Sequence, residues 1–172
     1  MKTNLTTTKK VAFLGLAAAL ALLLSYVEVL LPPLYAAVPG IKLGLPNIAI
    51  LYLLYAMDVR YAALVSLTRV AIASLLFGNI MTLAYSLAGA VLSLGVMWLL
   101  KKTKFLSEVG VSVAGGVTHN LGQVLVAMFL LDTPQIAYYM IVLTLTGTIS
   151  GIFIGLCGAL LLKRLSRETF HV

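Results

Sequence analysis

Long apolar runs alternate with short clusters of Lys and Arg along this chain, and that alternation leaves few folds open. A helix crossing roughly 30 Å of hydrocarbon needs about 20 mainly apolar residues. Runs 11–31, 61–77, 80–100, 109–131 and 136–162 meet or approach that requirement, and a sixth, 43–57, is shorter. Apolar residues make up 62% of the chain and charged ones 10%, against roughly 45–50% and about 25% in soluble globular domains. Five acids, Glu28, Asp58, Glu108, Asp132 and Glu168, are too few to cover a soluble surface. A water-soluble enzyme is excluded on that ground, and disorder is excluded by the abundance of apolar residues. The single cysteine, Cys157, rules out a disulfide framework, a thiolate zinc cluster and an iron–sulfur site. The expected architecture is an all-α integral membrane bundle of six transmembrane helices, one domain over residues 1–172.

The 12 Lys and Arg give a formal net charge of +7. They sit between the apolar runs, as topogenic charges do, and no other feature supports a nucleic-acid groove. With the N-terminus cytoplasmic, Lys2, Lys9, Lys10, Arg60, Lys101, Lys102, Lys104, Lys163, Arg164 and Arg167 all face inward. Only Lys42 faces outward, and Arg69 lies within a span. This bias fits six crossings with both termini on the cytoplasmic side of a cell membrane. Run 11–31 is longer than the 7–15 residues of a signal-peptide core, so it reads as a retained first helix. Run 43–57, with Pro46 in its first turn, is either strongly packed inside the bundle or partly re-entrant. Trp98 near an inner end, and Tyr35, Tyr138 and Tyr139 near outer ends, fit interfacial aromatic belts.

Helices in lipid associate where small residues let backbones approach. Gly147, Gly151 and Gly155, extended by Ala159, make a smooth face on the last span, suited to packing within the bundle. Ala17, Ala21 and Ser25 repeat the spacing on the first span, beside Gly15 and Ala19. That face serves either internal packing or the docking of a partner's helices.

Ionisable and amide side chains at membrane depth are costly and are functional candidates by default. Arg69 is mid-span in the third run. His119, Asn120 and Gln123 are mid-span in the fifth, with His119 and Gln123 on one face and Asn120 about 100° around it. Gly115-Gly116 precede them by a turn. Glu28, Lys42, Asn47 and Asn79 add polar groups in the outer half. Two readings stand: an internal network, with Arg69 on Asn120 or Gln123 and Glu28 on Lys42, or a binding cavity open to the outside. In the second, Arg69 and Lys42 suit an anionic or carbonyl-bearing ligand. The chain has no phosphate loop, HExxH or Gly-x-Ser-x-Gly motif. Prenyl transfer needs clustered aspartates to hold magnesium, and the only two, Asp58 and Asp132, are expected on opposite membrane faces. Neither enzymatic chemistry, a metal site nor a cofactor is expected.

Two stretches, Pro39-Gly40-Ile41-Lys42-Leu43-Gly44-Leu45-Pro46-Asn47-Ile48 and Gly115-Gly116-Val117-Thr118-His119-Asn120-Leu121-Gly122-Gln123, resemble the Gx transporter family, whose members often carry the label heptaprenyl diphosphate synthase component I. That family in turn resembles the substrate-binding S-components of energy-coupling factor (ECF) transporters, six-helix proteins that capture a vitamin or related small molecule. The resemblance implies an outward site at Lys42–Asn47 with Arg69, His119, Asn120 and Gln123. It also implies docking of Ala17 and Ala21 on a coupling transmembrane subunit that works with ATPases. The synthase label implies instead a non-catalytic partner in making an isoprenoid or quinone, or in flavin-linked electron transfer. A purely structural membrane protein is the third reading.

Overall fold

The computed structural model describes residues 7–30 and 44–168. Lys42, Tyr35, the Pro32-Pro33 stop and positions 39–43 of the first motif lie outside the described residues. The described residues form six helices: α1 (Thr7–Leu30), α2 (Asn47–Ala56), α3 (Val59–Phe77), α4 (Ile80–Thr103), α5 (Glu108–Leu131) and α6 (Met140–Glu168), the last entered through a 3-10 turn, Pro134–Tyr139. Five of them are long and apolar enough to cross a membrane, as a multi-pass protein requires.

Polar residues in the breaks start the helices. The Asp58 carboxylate accepts from Val59 N at 2.6 Å to open α3, Asn79 Oδ1 accepts from Thr82 N at 2.9 Å to open α4, and Ser107 Oγ accepts from Gly110 N at 3.3 Å to open α5. Each supplies an acceptor to a backbone donor that the first turn cannot satisfy. At the far ends, Lys104 and Asp132 take left-handed backbone and stop α4 and α5.

The second helix departs from the expected 43–57. Helix α2 has ten residues, a length of roughly 15 Å at 1.5 Å per residue, about half of the hydrocarbon thickness. Ala49, Ile50, Leu51, Leu53 and Leu54 are all buried, so most of the helix surface is packed against α6, α3 and α1, with Ile48, Tyr52 and Tyr55 half-buried. Asn47 and Arg69 each lie 11 residues from Asp58 in the turn between α2 and α3. Helix α2 therefore begins level with Arg69, near the middle of the bundle. Before it, Gly44 adopts φ +73, a conformation open to glycine at little cost.

Helices α4, α5 and α6 pack backbone against backbone. A Cβ on Gly116 would stand 2.5 Å from Gly147 O, one on Gly151 2.6 Å from Val113 Cα, and one on Gly155 2.7 Å from Val109 Cα. The smooth face of α6 thus seats on α5. On its other side α5 meets α4, where a Cβ on Gly89 would stand 2.8 Å from His119 O. The adjacent Gly115 and Gly116 serve different neighbours, Met97 and Ser93 of α4 and Gly147 of α6. Helix α1 is held more lightly, against α3 and α2, with only Ala21 and Ser25 buried.

The small residues of α1 lie against its own bundle. Ala21 is fully buried, Ser25 nearly so, and Ala17 packs against the same core cluster. The small residues let α1 approach its own neighbours.

Cations gather at one end of the bundle: Lys9 and Lys10 on α1, Arg60 on α3, Lys101, Lys102 and Lys104 closing α4, and Lys163 and Arg164 on α6. Lys101 Nζ donates to Leu54 O at the close of α2, and Lys102 Nζ lies 3.6 Å from the centroid of the Trp98 ring. A Gly151→Leu substitution is expected to destabilise the fold by about 1–3 kcal/mol, because overpacking forces the backbone apart. Gly95, whose Cβ position is open, should accept Ala without loss. Thermal unfolding of the two variants in detergent checks the contrast; equal midpoints would contradict this packing.

Candidate functional site

Because α2 stops halfway, the described residues leave a cavity of about 100 Å³ above its first turn. Its walls are the C-terminal turns of α1 (Ser25, Glu28, Val29) and α3 (Arg69, Val70, Ala73, Ser74, Phe77), and the first turns of α4 (Thr82, Ser86). The middles of α5 (Gly116, His119, Asn120, Gln123) and α6 (Ser150, Ile154) complete them. Gly44 and Asn47 form the floor. The mouth lies at the end of α1, α3 and α4 away from the cationic cluster.

Six of the eight residues singled out from the sequence as substrate-binding line this one cavity: Glu28, Asn47, Arg69, His119, Asn120 and Gln123. Lys42 lies outside the described residues. Asn79 is the exception within them. Its side chain accepts from Thr82 N and from Thr82 Oγ1, at 2.9 and 3.0 Å, and it sits exposed as the cap of α4 rather than on the cavity wall.

The pairings differ from the simplest sequence expectation. Arg69 Nη2 donates to Asn47 Oδ1 at 3.2 Å, not to Asn120 or Gln123. The bond fastens α3 to the start of α2 at the depth where an uncompensated guanidinium would cost most. Arg69 Nε is shut off from solvent and has no hydrogen-bond partner. Glu28 reaches the loop before α2, where its Oε1 accepts from Gly44 N. Asn120 Nδ2 donates to Leu143 O at 2.6 Å, a carbonyl that also accepts from Thr146 Oγ1 at 3.1 Å, so this amide latches α5 to α6. His119 turns its ring and its carbonyl toward Gly89 of α4. Part of the polar set therefore binds helices together, and part faces open space.

The hydroxyls of Ser74, Ser86, Ser150 and Thr82, and the wall role of Ser25, escaped sequence reasoning. Small hydroxyl residues are common in packed membrane helices and carry no signal alone. Their register does carry one: Thr82 and Ser86 are four apart, hence on one face.

Fold and site together define a polytopic helical membrane protein with a polar cavity at the end away from the cation cluster of the described residues. A sequence model of the family described as heptaprenyl diphosphate synthase component I matches residues 17–161, 145 of the 172, and the chain belongs to that family. No curated protein and no solved structure shows a significant match.

Lys and Arg favour the cytoplasmic side, so the mouth is expected to face outward. In a Cys157→Ser background, Thr82→Cys should react with a membrane-impermeant maleimide added to intact cells, and Lys104→Cys should react only after lysis. The reverse pattern would invert the topology.

Proposed function

We propose that the chain is the solute-capturing membrane subunit of an importer, resembling the S-components of ECF transporters, with separate coupling and ATPase subunits. The observation that carries this reading is the cavity: charged, amide and hydroxyl side chains from six helices converge on open volume at the end away from the cations. Broken helices with ends at mid-membrane are a recurrent way of building solute sites in transporters, and α2 has that form. The reading assigns no catalysis to the chain: the two aspartates stand apart, Asp58 capping α3 and Asp132 ending α5.

The family description favours a second reading, in which the chain is the membrane component that accompanies a soluble prenyl diphosphate synthase. Both assign a binding or anchoring role, and they differ in partner and in cargo.

Mass spectrometry of small molecules retained through gentle purification separates them. Capture predicts a stoichiometric bound solute, lost in His119→Ala while that variant remains monodisperse, and co-purification with ATPases. Recovery of a soluble prenyl synthase, with no solute retained, would replace the capture reading with the second.

A further inference from the structure

The capture reading leaves the ligand's chemistry open, and the unengaged side chains on the cavity wall narrow it. The two fixed charges on that wall are opposite in sign and each has a contact in the chain: Arg69 donates to Asn47 Oδ1 at 3.2 Å, and Glu28 Oε1 accepts from Gly44 N. Between them they leave no net charge for a ligand to answer. Asn120 is committed to the Leu143 carbonyl at 2.6 Å, and the Ser25 and Ser150 hydroxyls donate to carbonyls of their own helices.

Gln123, Ser74 and Ser86 remain. All three line the cavity, and their side chains make no hydrogen bond to any described residue. Ser74 is only 7% exposed. Among the described residues Arg69 Nε is the polar side-chain atom both sealed and unpartnered, so the Ser74 hydroxyl keeps an accessible edge, and the cavity is what it lines. Helix α4 places the Gln123 side chain: its Cγ would stand 3.0 Å from a Cβ on Gly89. Ser86 lies three residues before Gly89 and hence on the same face, one turn outward. An amide and a hydroxyl thus neighbour each other across the α4–α5 seam, with a second free hydroxyl on α3.

A glutamine amide presents an acceptor and a donor on one edge. The complementary edge has an N–H and a C=O pointing the same way. A trans peptide puts those groups on opposite sides, whereas a cyclic amide, held cis, puts them on one. The open volume of about 100 Å³ is smaller than the cavity of about 150 Å³ that takes up benzene, so one small ring is the group it encloses.

We infer that the cavity takes a neutral cyclic amide group, its N–H and C=O paired with the Gln123 amide and flanked by the Ser74 and Ser86 hydroxyls. Any remainder of the ligand extends through the mouth. The inference rests on the capture reading and names the chemistry of its solute.

The full chain in phosphatidylcholine nanodiscs, washed free of retained solute, is titrated with 2-pyrrolidinone, N-methyl-2-pyrrolidinone, N-methylacetamide, pyrrolidinium and cyclopentanecarboxylate. Ligand-observed NMR reads the binding, with empty nanodiscs as background. 2-Pyrrolidinone is expected to bind at least about tenfold more tightly than N-methyl-2-pyrrolidinone, which lacks the donor, because a site built to hydrogen-bond a group rejects an analogue that leaves its polar atoms unpaired. N-Methylacetamide, whose amide is trans, should be disfavoured equally, and the two ions should bind more weakly still. Gln123→Leu should remove the lactam preference, and Gln123→Glu should transfer it to pyrrolidinium. Ser74→Ala should weaken lactam binding about fivefold, the effect of one hydrogen bond.

A lactam preference lost with Gln123 supports the cyclic-amide seat. Equal binding of the three neutral probes, tighter binding of either ion, or a preference that survives in Gln123→Leu overturns it. No binding of any probe also overturns it, and the solutes retained through gentle purification then decide capture separately. A stoichiometric solute without a cyclic amide leaves capture standing; none removes it. Should Gln123→Leu fail to fold, the Gln123→Glu and Ser74→Ala shifts decide the matter alone.

Discussion

The hydrogen bond between Arg69 and Asn47 sets the geometry of everything above it. An arginine at mid-depth is tolerated only where something inside the bundle answers its charge, and insertion scales put the cost at about 2.5–3.5 kcal/mol otherwise. The answer comes from a helix that ends there. Gly44, free to take a positive φ, and Pro46, without a backbone donor to leave unsatisfied, break the chain at that level. Had α2 continued outward for another turn or two, its side chains would have filled the cavity and covered the guanidinium. The short helix, the engaged arginine and the open volume are one structural fact.

The cavity's two sides are built on different principles. On the α4–α5–α6 side, glycines bring backbones close enough that almost any side chain would collide, and the Asn120–Leu143 bond adds a latch. Such close-packed interfaces resist small displacements. On the α1 side, the wall is a long helix with two buried residues, tied in by ring contacts of Phe13 with Tyr52 and Tyr26 with Phe77. Few buried contacts place a segment at the low end of local stability. Glu28, the anionic member of the cavity, rides on this lightly held wall, whereas Arg69 is anchored beside the core.

Much of this was legible in the sequence, for identifiable reasons. Apolar length and cation placement are strong signals because lipid and topology leave few alternatives, and the described residues are all-helical, with five helices long and apolar enough to cross a membrane. The convergence of Arg69 with His119, Asn120 and Gln123 was legible because polar groups at membrane depth have nowhere else to go. The extent of α2 was hidden: residues 43–46 are about as apolar as those that follow, and only backbone geometry at Gly44 and Pro46 ends the helix. The capping role of Asn79 was not legible, because an amide beside a helix start serves equally as a cap or a ligand group, and here the Thr82 amide claims it. Ala17, Ala21 and Ser25 mark a close helix approach faithfully, yet spacing alone does not say whether the neighbour is α3 of the same chain or a helix of another.

A polar set at this depth can be a sealed network that only stabilises the bundle, and the atoms argue against that limit. In a sealed network each donor would have its acceptor, because an unanswered buried group loses its hydration for nothing in return. Asn120 satisfies that demand with a backbone carbonyl, and it holds two helices together as any structural amide would. Arg69 does not, for its Nε is enclosed without an acceptor, while other side chains of the set border about 100 Å³ of open volume. Extending α2 outward, or a larger residue at Ala73 or Ser74, would have filled that volume. The fold instead leaves vacant space among polar side chains at the end away from the cation cluster of the described residues.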